Sequence, residues 1–197
     1  LGEIDSFISA SDVNVVNFKD YKFPLQGIYY ALFFNLRNEK FKDLALRQKL
    51  EKVLPIKDLT VARGIMVQGP ISRSLFTDKA VVFDKYDEFF REVLGNPEIT
   101  VTVPDTYAHK DLASKIKNYW EDRLGLTVVI KKVDPNKLLK EVIEPRDFDI
   151  LLYGQEVGRD PDRYVLWHST QKDFPGLNIS GFEHVRSDRA LEEGRNE

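Results

Sequence analysis

The segment that most restricts the fold of this chain runs from residue 99 to residue 153 and alternates between two hydrophobic patterns. Short apolar segments indicate strands at residues 99–103, 126–131 and 148–153, and helical periodicity indicates helices at residues 109–124 and 135–142. Strands and helices that alternate in this way, with short connections, form right-handed crossovers and a parallel sheet. The sequence therefore predicts an α/β fold with a mainly parallel sheet and flanking helices.

Further elements are predicted outside this segment. Residues 28–36 are aromatic and almost continuously apolar, which is typical of a strand buried on both faces. Apolar residues recur with a helical period at residues 41–54 and again at residues 84–94, so both stretches are predicted as helices. Residues 2–9 indicate a short helix, and residues 12–22 an extended connector.

The composition excludes several functional classes. The 197 residues carry a net charge of −3 and no basic stripe, so a nucleic-acid partner is not expected. The absence of cysteine excludes disulfides, thiolate metal sites and a cysteine nucleophile. His109, His168 and His184 lack metal-ligand spacing, and no P-loop, dinucleotide fingerprint or nucleophile elbow occurs, so neither metal nor cofactor is expected.

Polar and aromatic side chains are concentrated after the last predicted strand, and open α/β sheets bind ligands beyond the carboxyl ends of their strands. The candidate binding residues are Asp160, Asp162, Tyr153, Tyr164, Trp167 and Asn178. Two interpretations of Asp160 remain open. It either caps the helix that follows, with Pro161 in the first helical position, or it faces a cationic group of a ligand.

The order of several motifs resembles that of a known family. YYALFFNL, KDLALRQKLEKVL, GPI, FDILLYG, DPDRYVLWHSTQ and GLNISGF follow one another as in the family 5 extracellular solute-binding proteins. These are the oligopeptide-, dipeptide- and nickel-binding receptors of bacterial ABC importers, and the resemblance covers nearly all of residues 21–195. One departure is Gly154, which stands where many relatives place a tryptophan.

The resemblance implies one lobe of a type II periplasmic-binding-protein fold. Residues 1–20 would be the end of the first lobe and the hinge connector, and residues 21–197 a C-terminally truncated second ligand-binding lobe. The implied protein is a monomeric, non-enzymatic receptor that is periplasmic or on the cell surface. It would clamp a small ligand, foremost a short peptide, between two lobes and deliver it to a membrane permease.

The resemblance also assigns roles to the candidate residues. In peptide-binding members, an aspartate in the loop after the last strand holds the amino terminus of the peptide, and Asp160, with Asp162 as second choice, matches it. Tyr153, Tyr164 and Trp167 would line the cleft, with Asn178 presented from the next loop.

Two other functions are compatible with the sequence. An α/β hydrolytic enzyme would use Asp160 together with His168, which follows it by eight residues. Alternatively, the same scaffold has become a sensor or interaction module that no longer transports a ligand.

Overall fold

The chain forms one four-stranded sheet in the computed structural model, which describes residues 16, 19, 21, 28–61, 64, 66, 67, 69, 85–157, 160 and 162–195. The strands are β1 (Ile28–Phe34), β2 (Glu98–Pro104), β3 (Thr127–Val133) and β4 (Ile150–Glu156), in the spatial order β1-β4-β2-β3. Strand β2 is parallel to β3 and β4, whereas β1 is antiparallel to β4. The predicted parallel arrangement is confirmed. The helix predicted at residues 2–9 and most of the connector at residues 12–22 lie outside the described residues.

Six α-helices accompany the sheet in the described part of the chain. They are α1 (Glu39–Lys42), α2 (Leu44–Lys52), α3 (Ile56–Thr60), α4 (Tyr107–Leu124), α5 (Tyr164–Trp167) and α6 (Val185–Glu193). A π-helical turn at Leu139–Ile143 and a 3-10 turn at Ser169–Gln171 complete the described elements. Among the described residues, no helix combines the length and apolarity that a bilayer crossing requires.

Helix α4 begins and ends at local signals. The Thr106 side chain accepts a hydrogen bond from the His109 backbone N–H, and Gly125 ends the helix in the left-handed conformation with φ of 59°. One face of the helix is fully buried, and its largest member, Trp120, donates its indole N–H to the Leu50 carbonyl at 2.9 Å. The helix is therefore anchored to both the sheet and α2.

The sheet separates two hydrophobic clusters because successive strand residues point to opposite faces. Ile150 and Leu152 of β4 belong to the cluster beneath α2 and α4. Leu151, which lies between them, belongs to the cluster on the other face, together with Phe33 and Val142. Both faces of β4 are thus covered at residues 150–152, which accounts for the continuous apolar sequence at the start of this strand.

Strand β1 differs from its prediction. It was expected to be buried on both faces, yet it pairs only with β4 among the described strands, and Ile28 and Tyr30 are 43% and 62% exposed. Only its second half is covered on both faces, where Leu32 packs on one cluster and Phe33 on the other.

The helix predicted at residues 84–94 is wrong, because residues 85–94 form turns and irregular backbone. Phe90 and Leu94 still pack partly buried on the core, whereas Phe89 of the same predicted apolar face is 82% exposed, so the periodicity marked burial only in part. The backbone N–H groups of Glu92 and Leu94 donate to the last carbonyls of α4 at 2.9 and 3.0 Å instead of to carbonyls of a local helix. Tertiary hydrogen bonds have replaced helical ones here.

Candidate ligand-binding site

The carboxyl ends of β2, β3 and β4 meet at one edge of the sheet, and β4 leads there into the candidate loop. Asp160 Oδ1 accepts the backbone N–H of Asp162 at 2.8 Å, and Asp162 Oδ1 in turn accepts that of Tyr164 at 2.8 Å. Asp162 therefore accepts the first N–H of α5, while Arg163 holds the N-cap position and makes no side-chain cap bond. The interpretation of Asp160 as the helix cap is wrong, because Asp160 lies three residues before the cap position. Asp160 only closes the turn before it, and it is exposed.

Asp162 is engaged by a distant cation. Arg195 donates from Nε to Asp162 Oδ2 at 2.9 Å, and its guanidinium carbon lies 4.1 Å from the centre of the Tyr164 ring. The Tyr164 N–H, assisted by Arg195, lowers the pKa of the Asp162 carboxyl below its ordinary value. A carboxylate beside an aromatic face can bind a cation, and here that cation is Arg195 of the same chain.

His168 is part of the same cluster and is buried. Its ring stacks on Tyr164 with centroids 4.1 Å apart, Nδ1 lies 2.9 Å from the Thr170 hydroxyl, and Nε2 lies 3.3 Å from Glu192 Oε1. Both ring nitrogens thus have partners other than Asp160. The geometry gives no support to an Asp160–His168 hydrolytic pair.

Asn178 is fully buried and ties two loops together. Its amide nitrogen donates to the carbonyls of Phe182 at 2.8 Å and His168 at 3.2 Å, and its amide oxygen accepts the Phe182 N–H at 3.0 Å. These bonds use its donor and acceptor groups within the lobe. The side chain therefore holds the loops in place and is not presented at the surface of the described structure.

Trp167 and Tyr153 pack partly buried against the cluster that contains Phe33. The Trp167 ring lies 6.4 Å from Phe33 in a stacked arrangement. Beside it, Tyr29 donates to Gln155 Oε1 at 2.5 Å, and burial raises the pKa of Tyr29 to about 12. Of the six candidate residues, Asp160 is exposed, Asn178 is buried and the other four are partly buried.

Sequence reasoning missed a corner formed by Tyr30, Gly154 and His109. The Tyr30 ring lies across β4, so that a Cβ at position 154 would stand 2.9 Å from its Cε1, and the ring is 5.5 Å from that of His109. Burial lowers the pKa of His109, whose Nδ1 lies 2.7 Å from the Thr106 hydroxyl. The available signal was Gly154, because a glycine within a strand often marks a close approach.

A pocket of about 560 Å³ lies at the opposite edge, where β1 ends and β2 and β4 begin. Its charged groups are bound within the lobe: Asp149 accepts from Asn38 at 2.7 Å and Lys40 at 3.3 Å, and Lys131 pairs with Asp147 at 3.2 Å. This pocket is a junction between loops at the edge opposite to the candidate site.

Solved structures with this fold come from bacterial binding proteins. The oligopeptide-binding protein AppA of Bacillus subtilis, solved with a nonapeptide, is 21% identical, with a TM-score of 0.72 over 84% of this chain and 38% of its own. NikZ of Campylobacter jejuni, solved with Ni(L-His), is 24% identical, with a TM-score of 0.69 over 87% of this chain and 39% of its own. The Escherichia coli murein tripeptide binding protein MppA is 18% identical, with a TM-score of 0.72 over 88% and 37%. No family model and no curated protein matches the sequence.

The fold is that of one lobe of a type II periplasmic-binding protein, as predicted. The chain spans less than two fifths of the length of the proteins it matches. The shared fold confirms, at the level of the fold alone, the resemblance to the family 5 solute-binding proteins.

Proposed function

We propose that the chain is part of the ligand-binding lobe of a family 5 solute-binding protein that serves a bacterial ABC importer. The observation that carries the proposal is the shared fold, with a TM-score of 0.72 to an oligopeptide-binding protein, in a chain covering 38% of that protein. The whole receptor would work outside the cytoplasmic membrane as a monomer and hand its ligand to a membrane permease. Neither catalysis nor a cofactor is part of this role.

The ligand we propose is a short peptide, bound between this lobe and a second one. Lobe closure desolvates the ligand, and a desolvated ammonium group requires an opposite charge. Asp160 supplies that charge, because it is exposed beyond β4 whereas Asp162 is engaged by Arg195. Tyr153, which is partly buried on β4, would form an aromatic wall beside it.

Native mass spectrometry of the full-length parent, purified without dialysis, tests the ligand class. Added masses that fragment as short peptides support the proposal. One discrete mass of a sugar or a metal chelate would overturn the peptide assignment while leaving transport in place.

The role of Asp160 is tested in the same parent by titration with trialanine. Asp160→Asn removes the charge that faces the ammonium group and should weaken binding at least about tenfold, since charge-assisted hydrogen bonds are the strong ones. Asp147→Asn is the matched control, because Asp147 is 70% exposed at the opposite edge of the sheet. Equal losses in the two variants would contradict the assignment of Asp160.

The non-enzymatic role has its own test. The parent should be stabilised by its ligand against heat and should not turn over generic ester or phosphate substrates. Turnover that disappears in His168→Ala would instead establish the hydrolytic alternative.

A further inference from the structure

The last described helix directs a row of polar side chains at the segment that carries Asp160. This segment, called the 160–169 segment below, is described at residue 160 and residues 162–169. Asp188, Glu192 and Arg195 are spaced by four and three residues, which places them on one face of a helical path. Gly194 keeps the right-handed helical conformation with φ of −64°, so the path continues from the end of α6 to Arg195.

Each of the three side chains contacts a different residue of the 160–169 segment. Asp188 Oδ1 accepts the backbone N–H of Ser169 at 3.0 Å, and Glu192 Oε1 lies 3.3 Å from His168 Nε2. Arg195 reaches Asp162 at 2.9 Å. One contact therefore lies near the beginning of the segment, at Asp162, and two lie at its end, at His168 and Ser169.

We propose that this face of α6 is a brace that fixes the conformation of the 160–169 segment and thereby positions Asp160 for the ligand. The inference rests on the proposed function for its ligand, but the brace itself is a property of the lobe. Asp188, Glu192 and Arg195 are positioning residues, because they act through Asp162, His168 and Ser169 and none of them has to touch the ligand.

Burial supports the assignment. Helix α6 contains no buried residue, so packing in the core does not explain its position. His168 and Arg163 of the segment are 4% and 3% exposed, which leaves the segment with a well-packed side that the brace can hold in register. Partly exposed ion pairs add little to global stability, and their effect is expected in local order.

The hydrogen bonds of His168 provide a conservative variant. The Thr170 backbone N–H points at Nδ1 at 3.2 Å, so Nδ1 is the acceptor and Nε2 carries the proton toward Glu192. Glu192→Gln keeps an amide oxygen that can accept this hydrogen bond, whereas Glu192→Ala removes the acceptor.

Arg189→Gln supplies the matched control. Arg189 and Glu193 form a 2.7 Å ion pair on the same helix, with side chains 78% and 63% exposed, and Arg189 makes no recorded contact with the 160–169 segment among the described residues. The substitution removes the same charge as Arg195→Gln and leaves the brace intact.

Hydrogen exchange of the full-length parent, followed by mass spectrometry, tests the brace independently of any ligand. Exchange in peptides covering residues 162–170 should accelerate about five- to tenfold in Glu192→Ala and Arg195→Gln, because each variant loses its contact with the segment. It should stay at the wild-type rate in Glu192→Gln and Arg189→Gln. Unchanged exchange in the first two variants, or equal acceleration in Arg189→Gln, would show that the brace does not exist.

Titration with trialanine then separates the brace from the proposed function. Weaker binding by Glu192→Ala, restored in Glu192→Gln, supports a positioning role. Wild-type affinity in Glu192→Ala, despite faster exchange, would refute that role. If wild-type protein does not bind trialanine, the peptide assignment fails, and the exchange pattern alone decides whether the brace exists.

Discussion

The two edges of the sheet both carry polar side chains, but these side chains have different partners. At the edge where β2 and β4 begin, Asn35 is 6% exposed and donates its amide hydrogens to the carbonyls of Arg146 and Phe148, both at 2.9 Å. At the edge where those strands end, Asp160 is exposed and its recorded side-chain bond only closes a turn. The first edge is built to hold the lobe together, and the second presents a charge to whatever lies beyond it.

The difference shows that a polar residue at a strand end can face a ligand only when its hydrogen bonds to the backbone leave part of its side chain exposed. Asn35 follows β1 directly, and its backbone N–H donates to Asp149 at 2.9 Å, so the residue extends the β1–β4 pairing beyond the strands. Its side chain takes the place of a further strand partner. Asp160 has no comparable role, because its carboxylate accepts the N–H of Asp162, a residue only two positions away.

Replacing Asn35 should produce the largest loss of stability. In Asn35→Leu, the Arg146 and Phe148 carbonyls lose a buried donor, and the Arg37 N–H loses its acceptor at 3.2 Å. The free energy of unfolding should fall by about 2–3 kcal/mol in urea denaturation. Asn136→Ala, at an exposed position, should change it by less than about 0.5 kcal/mol. Similar values for the two variants would remove the distinction between the edges.

An intermediate effect is expected at Asp162, which accepts the first N–H of α5 and forms one ion pair with Arg195. Asp162→Ala should cost about 1 kcal/mol at neutral pH. Because the pKa of Asp162 is lowered in the folded state, its carboxylate stabilises the protein above the unfolded value of about 3.9, and this contribution is lost as the pH falls through the folded value. The difference in melting temperature between wild type and variant should therefore narrow below about pH 4.

Asp122→Ala is the control for that comparison. Asp122 is an exposed carboxylate that pairs with Arg91 at 2.8 Å but caps no helix. Its loss should cost less than that of Asp162. If the difference in melting temperature between wild type and Asp162→Ala stays constant down to pH 3, the charge of Asp162 does not contribute to its stabilising effect.

The smallest effect on stability is expected at the residue proposed to bind ligand. Asp160→Asn keeps an oxygen that accepts the Asp162 N–H. The free energy of unfolding, measured by thermal denaturation, should therefore change by less than about 0.5 kcal/mol. A loss above about 1 kcal/mol would identify Asp160 as structural and weaken the contrast between the edges.

The fold could be predicted from the sequence to the extent that its signals are local. Thr106 and Gly125 lie at the two ends of α4, and the alternation of β4 between two clusters follows from strand geometry. Residues 85–94 were mispredicted, since an irregular segment buried Phe90 and Leu94 at helical spacing. Periodicity identified these two packed side chains but not the exposure of Phe89, and it does not report where the backbone hydrogen bonds go.

The candidate site was harder to predict because its decisive contacts are tertiary. Asp162 and Arg195 are 33 residues apart, and neither their spacing nor their composition distinguishes Asp162 from Asp160. Asn178 was predicted as a ligand contact, yet its partners lie on two loops that only the folded chain brings together. The position of this segment in the chain was predictable, but the structural role of each residue within it was not.

The placement of the two tryptophans gives the protein a built-in optical reporter. Trp120 is fully buried on the inner face of α4, with its indole N–H bonded to the Leu50 carbonyl, while Trp167 is partly buried at the end of α5 between Phe33 and Phe182. Emission from the first follows the integrity of the core, and emission from the second follows the surroundings of the loops. Trp120→Phe would leave Trp167 as the single tryptophan of this chain, next to the candidate site, so ligand screening with selective tryptophan excitation would not require an attached dye.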